Sequence, residues 1–373
     1  MTTSITPIDA LCVADYQRLA KDVLPHDIYE YIFGGGGDEI TLKHNRTALD
    51  AIQLWPRVLN DVTHGTTMTS ILGEFWRSPI MLAPVAFQCM AHEEGEIATA
   101  RAASALEIGM IVSTLASHTV ESISEKLTSP KWFQLYWQLD RDFNVELVRR
   151  AEKSGYSALV VTVDSAIHGI RNRAQRANFV LPDGITAVNL INRPPLPSNA
   201  FTPDQSIIFQ GMMSEAPTWK DIAWLIKQTS LPVLIKGILH PADAIKAKSI
   251  GAKGVVVSNH GGRTLDCVPS AIDVLPVIRQ SVGGEFTVLM DGGVQRGTDV
   301  FKAVALGANA VLIGRPQVYA LAVAGAAGVA HMLRILREEL EVAMSLAGTA
   351  TIEDIKVSPA YTNIVSSGCV TYL

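Results

Sequence analysis

The chain has no excess of positive charge: 31 Lys and Arg stand against 36 Asp and Glu, a formal net charge of −5. That balance gives no electrostatic footprint for nucleic acid, which is not an expected partner. Cysteine is scarce. Cys12, Cys89, Cys267 and Cys369 show neither a CxxC pair nor a linear metal-ligand spacing, so reduced thiols are expected rather than a disulfide framework. Long apolar runs are also missing, since no stretch reads as the roughly 18 consecutive apolar residues of a membrane span. The first residues, MTTSITPIDALCVADYQ, lack a basic segment leading into an apolar one, so a cytoplasmic protein is expected. No Gly-x-Gly-x-x-Gly follows the first strand pattern, which leaves a dinucleotide-binding fold without support.

What the sequence does contain is apolar material in a regular arrangement. Hydrophobic residues make up 48% of the 373, enough for a sizeable core. Short β-branched runs recur at 79–83, 110–113, 132–136, 158–163, 232–236, 254–257, 287–290 and 310–313. Helical patterns separate most of them. Residues 144–151, 242–250 and 298–306 are examples, the second opening after Pro241 and each stopping near a glycine. Alternating strands and crossover helices predict a parallel sheet, and eight such units fit a closed (β/α)8 barrel, a TIM barrel, within one α/β domain. Residues 1–75 read as a helical N-terminal extension, 76–355 as the barrel and 356–373 as a C-terminal tail. The GGGGDE segment at 34–39 reads as a turn, because it does not join a strand to a helix. Residues 181–218, with RPPLPSNAFTPD, are too long for an ordinary βα loop and read as a lid. The apolar, alanine-rich stretch at 319–329 reads as a buried helix.

Chemistry in such barrels gathers at the C-terminal ends of the strands. There the sequence supplies Ala86, Ser113, Gln134, Tyr136, Thr162, Asp164, Lys236, Ser258, His260, Arg263, Asp291 and Arg315. Any one of them could be a helix cap. A histidine, carboxylates, a lysine, two arginines and a tyrosine on one face argue for a site instead. Gly292, Gly293, Gly297 and Gly314, with Arg315, give the last two strands the character of a phosphate site.

SNHGGR at 258–263, with LPVLIKG at 231–237, QLY at 134–136, TVD at 162–164, DGG at 291–293 and IGRP at 313–316, resembles the FMN-dependent 2-hydroxy acid oxidases and dehydrogenases. That family includes glycolate oxidase, lactate oxidase and mandelate dehydrogenase. The motifs run in order over nearly the whole chain. The resemblance implies FMN as cofactor and His260 as the base, removing either the hydroxyl proton or, in the competing account, the α-proton. Asp164 would support the imidazolium. Arg263, Arg171 and Tyr31 would bind the substrate carboxylate, Tyr136 would lie near its hydroxyl, and Lys236 would sit where charge accumulates on the reduced flavin. Ala86, Ser113, Gln134, Thr162 and Ser258 match flavin-ring contacts. Asp291 matches a ribityl contact, and Gly292, Gly293, Gly314 and Arg315 match the phosphate end.

Three departures carry weight. Gln295 replaces an arginine usual after DGGV, which predicts looser FMN retention unless Arg296 compensates. Leu115 stands where glycolate-preferring members carry a large aromatic, favouring L-lactate or a medium aliphatic acid, with a mandelate-like aromatic as an alternative. The long apolar insertion of the membrane-bound members is missing, so dioxygen is the expected acceptor and hydrogen peroxide the product. A soluble dehydrogenase passing electrons to a quinone or a protein is the nearest rival. A class I aldolase using Lys236 and a flavin barrel without redox turnover are more distant ones. A homo-oligomer, commonly a tetramer in the family, is expected. The other histidines, among them His118, show no metal spacing; His168 is the one placed to line the pocket, and no metal is expected.

Overall fold

Each of the eight apolar runs becomes a strand, since a strand buried on both faces needs unbroken apolar character. The computed structural model describes residues 10–167, 169–195, 202, 204–357 and 360–362. In it β1 (Ile80–Leu82), β2 (Gly109–Ser113), β3 (Lys131–Tyr136), β4 (Ala158–Thr162), β5 (Val233–Ile238), β6 (Gly254–Val257), β7 (Thr287–Met290) and β8 (Ala310–Ile313) close into one barrel. Every neighbouring pair is parallel, and β8 closes on β1 through Val311↔Ile80, Leu312↔Met81 and Ile313↔Leu82. Outside lie α1 (Gly95–Ala105), α2 (Val120–Lys126), α3 (Arg141–Lys153), α4 (Trp219–Ile226), α5 (Pro241–Ser249), α6 (Ala271–Val282), α7 (Gly297–Ala305) and α8 (Arg315–Ala347). The three helices expected from the sequence lie within α3, α5 and α7, displaced at their ends by up to a few residues. The barrel expected from the sequence is therefore present strand for strand.

Two apolar layers hold it together. Inside the barrel, Met81, Ile111, Val160, Leu234, Val256, Leu289 and Leu312 form one cluster. Alternate strand residues face outward to the helices, as the two-residue period requires. The bottom is plugged by an antiparallel hairpin, Thr69–Ile71 with Glu74–Trp76, whose Trp76 is buried and meets Trp132 edge-on at 5.4 Å. Gly109 opens β2 beside that indole; a Cβ there would lie 1.8 Å from Trp76 Cζ3, so only glycine fits. The extension is thus not wholly helical. It holds the helices Val13–Val23, His26–Phe33 and Ile40–Ala51, then a strand, Ile52–Leu54, paired antiparallel with Ala360–Thr362.

The alanine-rich stretch falls in α8, which is broken at Ala324 and Gly325, where Gly325 has φ +56°. Among the described residues this is the one helix long and apolar enough by composition to cross a membrane. It packs against Val13–Val23, α1 and α7. The lid holds short turns at Val188–Leu190, Ile207–Gly211 and Met212–Glu215. Asn189 ties it to the barrel: its amide donates to the His118 carbonyl at 3.1 Å and its oxygen accepts from Val120 N–H at 3.0 Å.

Candidate active site

The strand ends open into a cavity of about 780 Å³, a size that suits a cofactor together with a small substrate. Its wall includes Tyr31, Ala86, Leu115, Tyr136, Thr162, Arg171, Lys236, His260, Arg263, Asp291, Gly292, Gly293, Gln295, Gly314 and Arg315, all expected from the sequence. Asp164, Ser113, Gln134 and Ser258 lie one layer behind it. They act on the cavity through neighbours: Ser113 donates to Gln134 Oε1 at 3.1 Å, and the Gln134 amide donates to Thr162 Oγ1 at 3.0 Å. His168 lies outside the described residues.

His260 follows β6 in a left-handed conformation, φ +57°, which non-glycine residues seldom adopt and which turns its ring back over the barrel mouth. The loop is locked from below. Asn259 and Asn45 exchange amide hydrogen bonds at 2.9 and 2.7 Å, and Asn259 Oδ1 also accepts from Gly262 N–H at 3.0 Å. His260 Nδ1 lies 2.9 Å from Asp164 Oδ1. An ionised carboxylate only accepts, so Nδ1 carries the proton and the Nε2 lone pair is left for the cavity, 3.5 Å from the Tyr136 hydroxyl. Burial pushes the histidine below its ordinary pKa, with Asp164 pulling it partly back and Lys236 adding to the fall. Burial also opposes the Asp164 charge, yet His260 and Lys236 hold the carboxyl below its ordinary value. The result is a neutral imidazole backed by a carboxylate, the arrangement of a general base.

Lys236 sits on β5 at a bulge: it pairs with Val256, while Ile238 pairs with Val257. Gly237 absorbs the extra residue at φ +109°, and a Cβ there would lie 2.5 Å from Asp164 Cβ. The bulge thus aims Lys236 and makes room for the carboxylate in one step. The ammonium is 4% exposed, 2.9 Å from Ser258 Oγ and 3.1 Å from Asp291 Oδ2. Burial disfavours its charge, but Asp291 and Asp164 more than offset this and raise its pKa. Two donors are thus used and the third is left for the cavity.

Cations gather on the other side. Arg263 Nη1 lies 2.8, 2.9 and 2.9 Å from the carbonyls of Tyr31, Ile32 and Gly34. Arg315 meets the carbonyls of Ile32, Gly261 and Gly34 at 3.0, 2.8 and 2.9 Å. Arg171 and Arg263 lie over the Tyr31 ring, 5.6 and 5.1 Å from its centroid, and Phe179 stacks on that ring at 4.0 Å. Burial, then repulsion from Arg171 and Arg315, pulls the Arg263 guanidinium down to about 9. A cluster so short of negative charge is built to receive an anion.

The phosphate end departs from expectation at two points, the first being Arg315, whose guanidinium is held on the carbonyls beside Arg263. Arg296 turns away from the cavity to pair with Glu339 at 3.0 Å, and so cannot compensate for Gln295. The cation nearest the Gly293 backbone in the wall is Arg46, from the extension. It donates to the Gly293 carbonyl at 2.8 Å but is tied to Asp299 at 2.6 Å and Asp50 at 2.7 Å. Asn45, Arg46 and Phe179 are not legible in the sequence, because nothing in their local sequence places them beside partners some hundred or more residues away. Lid residues Leu190, Arg193, Met212 and Glu215 also line the cavity.

A closed barrel with a glycine-lined anion cradle after β7 and β8, a buried lysine opposite a base–carboxylate pair and an arginine cluster define a flavin-type oxidoreductase site. These residues fit FMN: the cradle suits its phosphate, and the free Lys236 donor suits a ring that becomes anionic. Residues 20–362 match the FMN-dependent dehydrogenase family model. The chain belongs to the FMN-dependent dehydrogenase family, and FMN is its cofactor. It is 47% identical over 342 residues to an L-lactate oxidase of Alicycliphilus denitrificans, covering 91% of this chain and 93% of that one. It is 43% identical over 353 residues to glycolate oxidase 1 of Oryza sativa, covering 94% and 95%. A solved mandelate oxidase structure superposes with a TM-score of 0.87 at 40% identity, covering 95% of this chain and all of the other.

Proposed function

We propose that this enzyme oxidises a small (S)-2-hydroxy acid, L-lactate or a medium aliphatic acid, to the 2-oxo acid, with dioxygen reduced to hydrogen peroxide. One observation carries the reading: the Nε2 of His260, left as an acceptor by the Nδ1 bond to Asp164, faces the same cavity as Arg171 and Arg263. The substrate carboxylate binds to Arg263 and Arg171, with Tyr31 beneath them. Arginine suits this task because its planar fork meets a carboxylate bidentately. That contact brings the hydroxyl to His260 Nε2 and the Tyr136 phenol. Burial raises the Tyr136 pKa, so the phenol stays neutral and can donate. His260 takes the hydroxyl proton, and Asp164 stabilises the imidazolium that forms. Bound FMN supplies the two-electron acceptor for the α-carbon and the means of passing those electrons to dioxygen. Lys236 holds a fixed positive charge where negative charge develops.

Leu115 supports a substrate with a side chain, and the lactate oxidase relatives agree with that size. The aromatic alternative draws its support from the mandelate oxidase neighbours. A homo-oligomer, most simply a tetramer, belongs to the same reading and is checked by light scattering.

The test is the visible spectrum of FMN-loaded enzyme mixed with L-lactate without oxygen, then opened to air. Bleaching followed by fast recolouring with peroxide supports the proposal. Bleaching without recolouring makes the protein a dehydrogenase with another acceptor, and no bleaching with lactate moves the substrate to larger acids.

A further inference from the structure

We propose that Cys89, Glu96 and His118 form a binding site for one divalent transition-metal ion, Zn²⁺ suiting it best. None of the three lines the flavin cavity. Linear spacing conceals them: Cys89 lies in the turn Gln88–Met90 after β1, Glu96 in the first turn of α1, and His118 between β2 and α2. The pairing of β1 with β2 brings them together.

Cys89 Sγ lies 3.8 Å from His118 Nδ1, and that nitrogen lies 3.0 Å from Glu96 Oε2. All three donor atoms fall within 4.8 Å of one another. Bonds of about 2.3 Å to sulfur and about 2.0–2.2 Å to nitrogen and oxygen place tetrahedral donors roughly 3.3–3.6 Å apart. The separations to His118 Nδ1 bracket that range, so an ion would move Nδ1 and Oε2 apart by a few tenths of an ångström and draw the sulfur in toward both.

The carboxylate is prepared for this role. Glu96 is 1% exposed, and its Oε1 accepts from the N–H groups of Gln88 at 2.9 Å and Ser117 at 3.0 Å. Those bonds fix the group and leave Oε2 facing the imidazole, the kind of outer support that metal ligands require. The His118 side chain is 29% exposed, which gives an ion a way in from solvent. A thiolate and a carboxylate neutralise a divalent charge. Sulfur and imidazole together select zinc over magnesium or calcium. On binding, the thiol proton leaves to solvent and the His118 proton moves from Nδ1 to Nε2. The three protein ligands leave a fourth position for water.

Such an ion would staple the turn after β1 to the loop after β2. Their neighbours Phe87 and Leu115 form part of the flavin cavity wall and are already joined by a hydrogen bond of 3.0 Å.

The test uses FMN-loaded enzyme, stripped by chelator and titrated with Co²⁺. Tetrahedral cobalt bearing a thiolate absorbs in the red, beyond the oxidised flavin. We expect bands that saturate at one ion per chain, vanish on adding Zn²⁺ and do not form in Cys89→Ser. His118→Ala should weaken Zn²⁺ binding, measured against a chromophoric chelator, by more than about tenfold. Failure to see saturable binding overturns the proposal, as do identical bands in Cys89→Ser or unchanged zinc affinity in His118→Ala.

Discussion

Asp164 reaches His260 through one carboxylate oxygen only: Oδ1 is 2.9 Å from Nδ1, while the buried Oδ2 has no hydrogen-bond partner among the described residues. The pair therefore works by charge and by fixing the tautomer. In wild type, kcat/KM should rise as pH climbs through the His260 pKa, which burial places below the ordinary histidine value, and be level at neutral pH. Asp164→Asn removes the interaction that raises that pKa. The acid limb should move to lower pH, while the plateau drops by about 100-fold or more. A pH profile of anaerobic flavin reduction reads both effects, and an acid limb moving upward would contradict this account.

Removing His260 itself, as His260→Gln, should cost about 10²–10⁴ in the rate of flavin reduction while FMN stays bound. Stopped-flow mixing with substrate, with the flavin content measured alongside, separates the two.

Lys236 and Asp291 form a buried ion pair at 3.1 Å. Lys236→Met leaves Asp291 uncompensated, and breaking such a pair costs about 3–5 kcal/mol. The expected result is a lower denaturant midpoint, with reduction slowed by about 10²–10³, the range found when a donor to developing charge is lost. A variant as stable and as fast as wild type would remove Lys236 from both roles.

Gln295 lines the cavity near the glycine cradle, where Arg46 is already neutralised by Asp299 and Asp50. Gln295→Arg adds a charge-assisted contact worth about 1.5–3 kcal/mol, so FMN should bind roughly ten- to a hundredfold more tightly. Equilibrium flavin titration of the two proteins decides it.

Leu115→Trp fills the wall near the substrate. The ratio of kcat/KM for glycolate over L-lactate should rise by about 10–200-fold, the range that one or a few methylene-sized contacts can supply. An unchanged ratio would assign Leu115 to packing alone.

The barrel could be read from the sequence because each strand is a short apolar run bounded by turn or helix signals, and burial on both faces imposes that pattern locally. His260, Asp164 and Arg263 stood out because strand ends are where a barrel places its chemistry. Asn45 and Arg46 did not, because they act on the loops after β6 and β7 from a helix more than 200 residues earlier. The hairpin behind Trp76 is illegible for another reason: its strands are three residues each, too short to show a period. The Cys89, Glu96 and His118 cluster depends on a loop-to-loop distance, which linear spacing does not encode.

The pairing of Ile52–Leu54 with Ala360–Thr362 has a consequence for synthesis. The extension that supplies Tyr31, Asn45 and Arg46 is made before the barrel, yet its end is clasped by residues made after it. Early-made contacts to the site must wait for a closed barrel and then for that clasp. A nascent chain therefore completes the tethered cradle only once Ala360–Thr362 have been made, and a chain cut before them should carry a barrel whose roof is untethered.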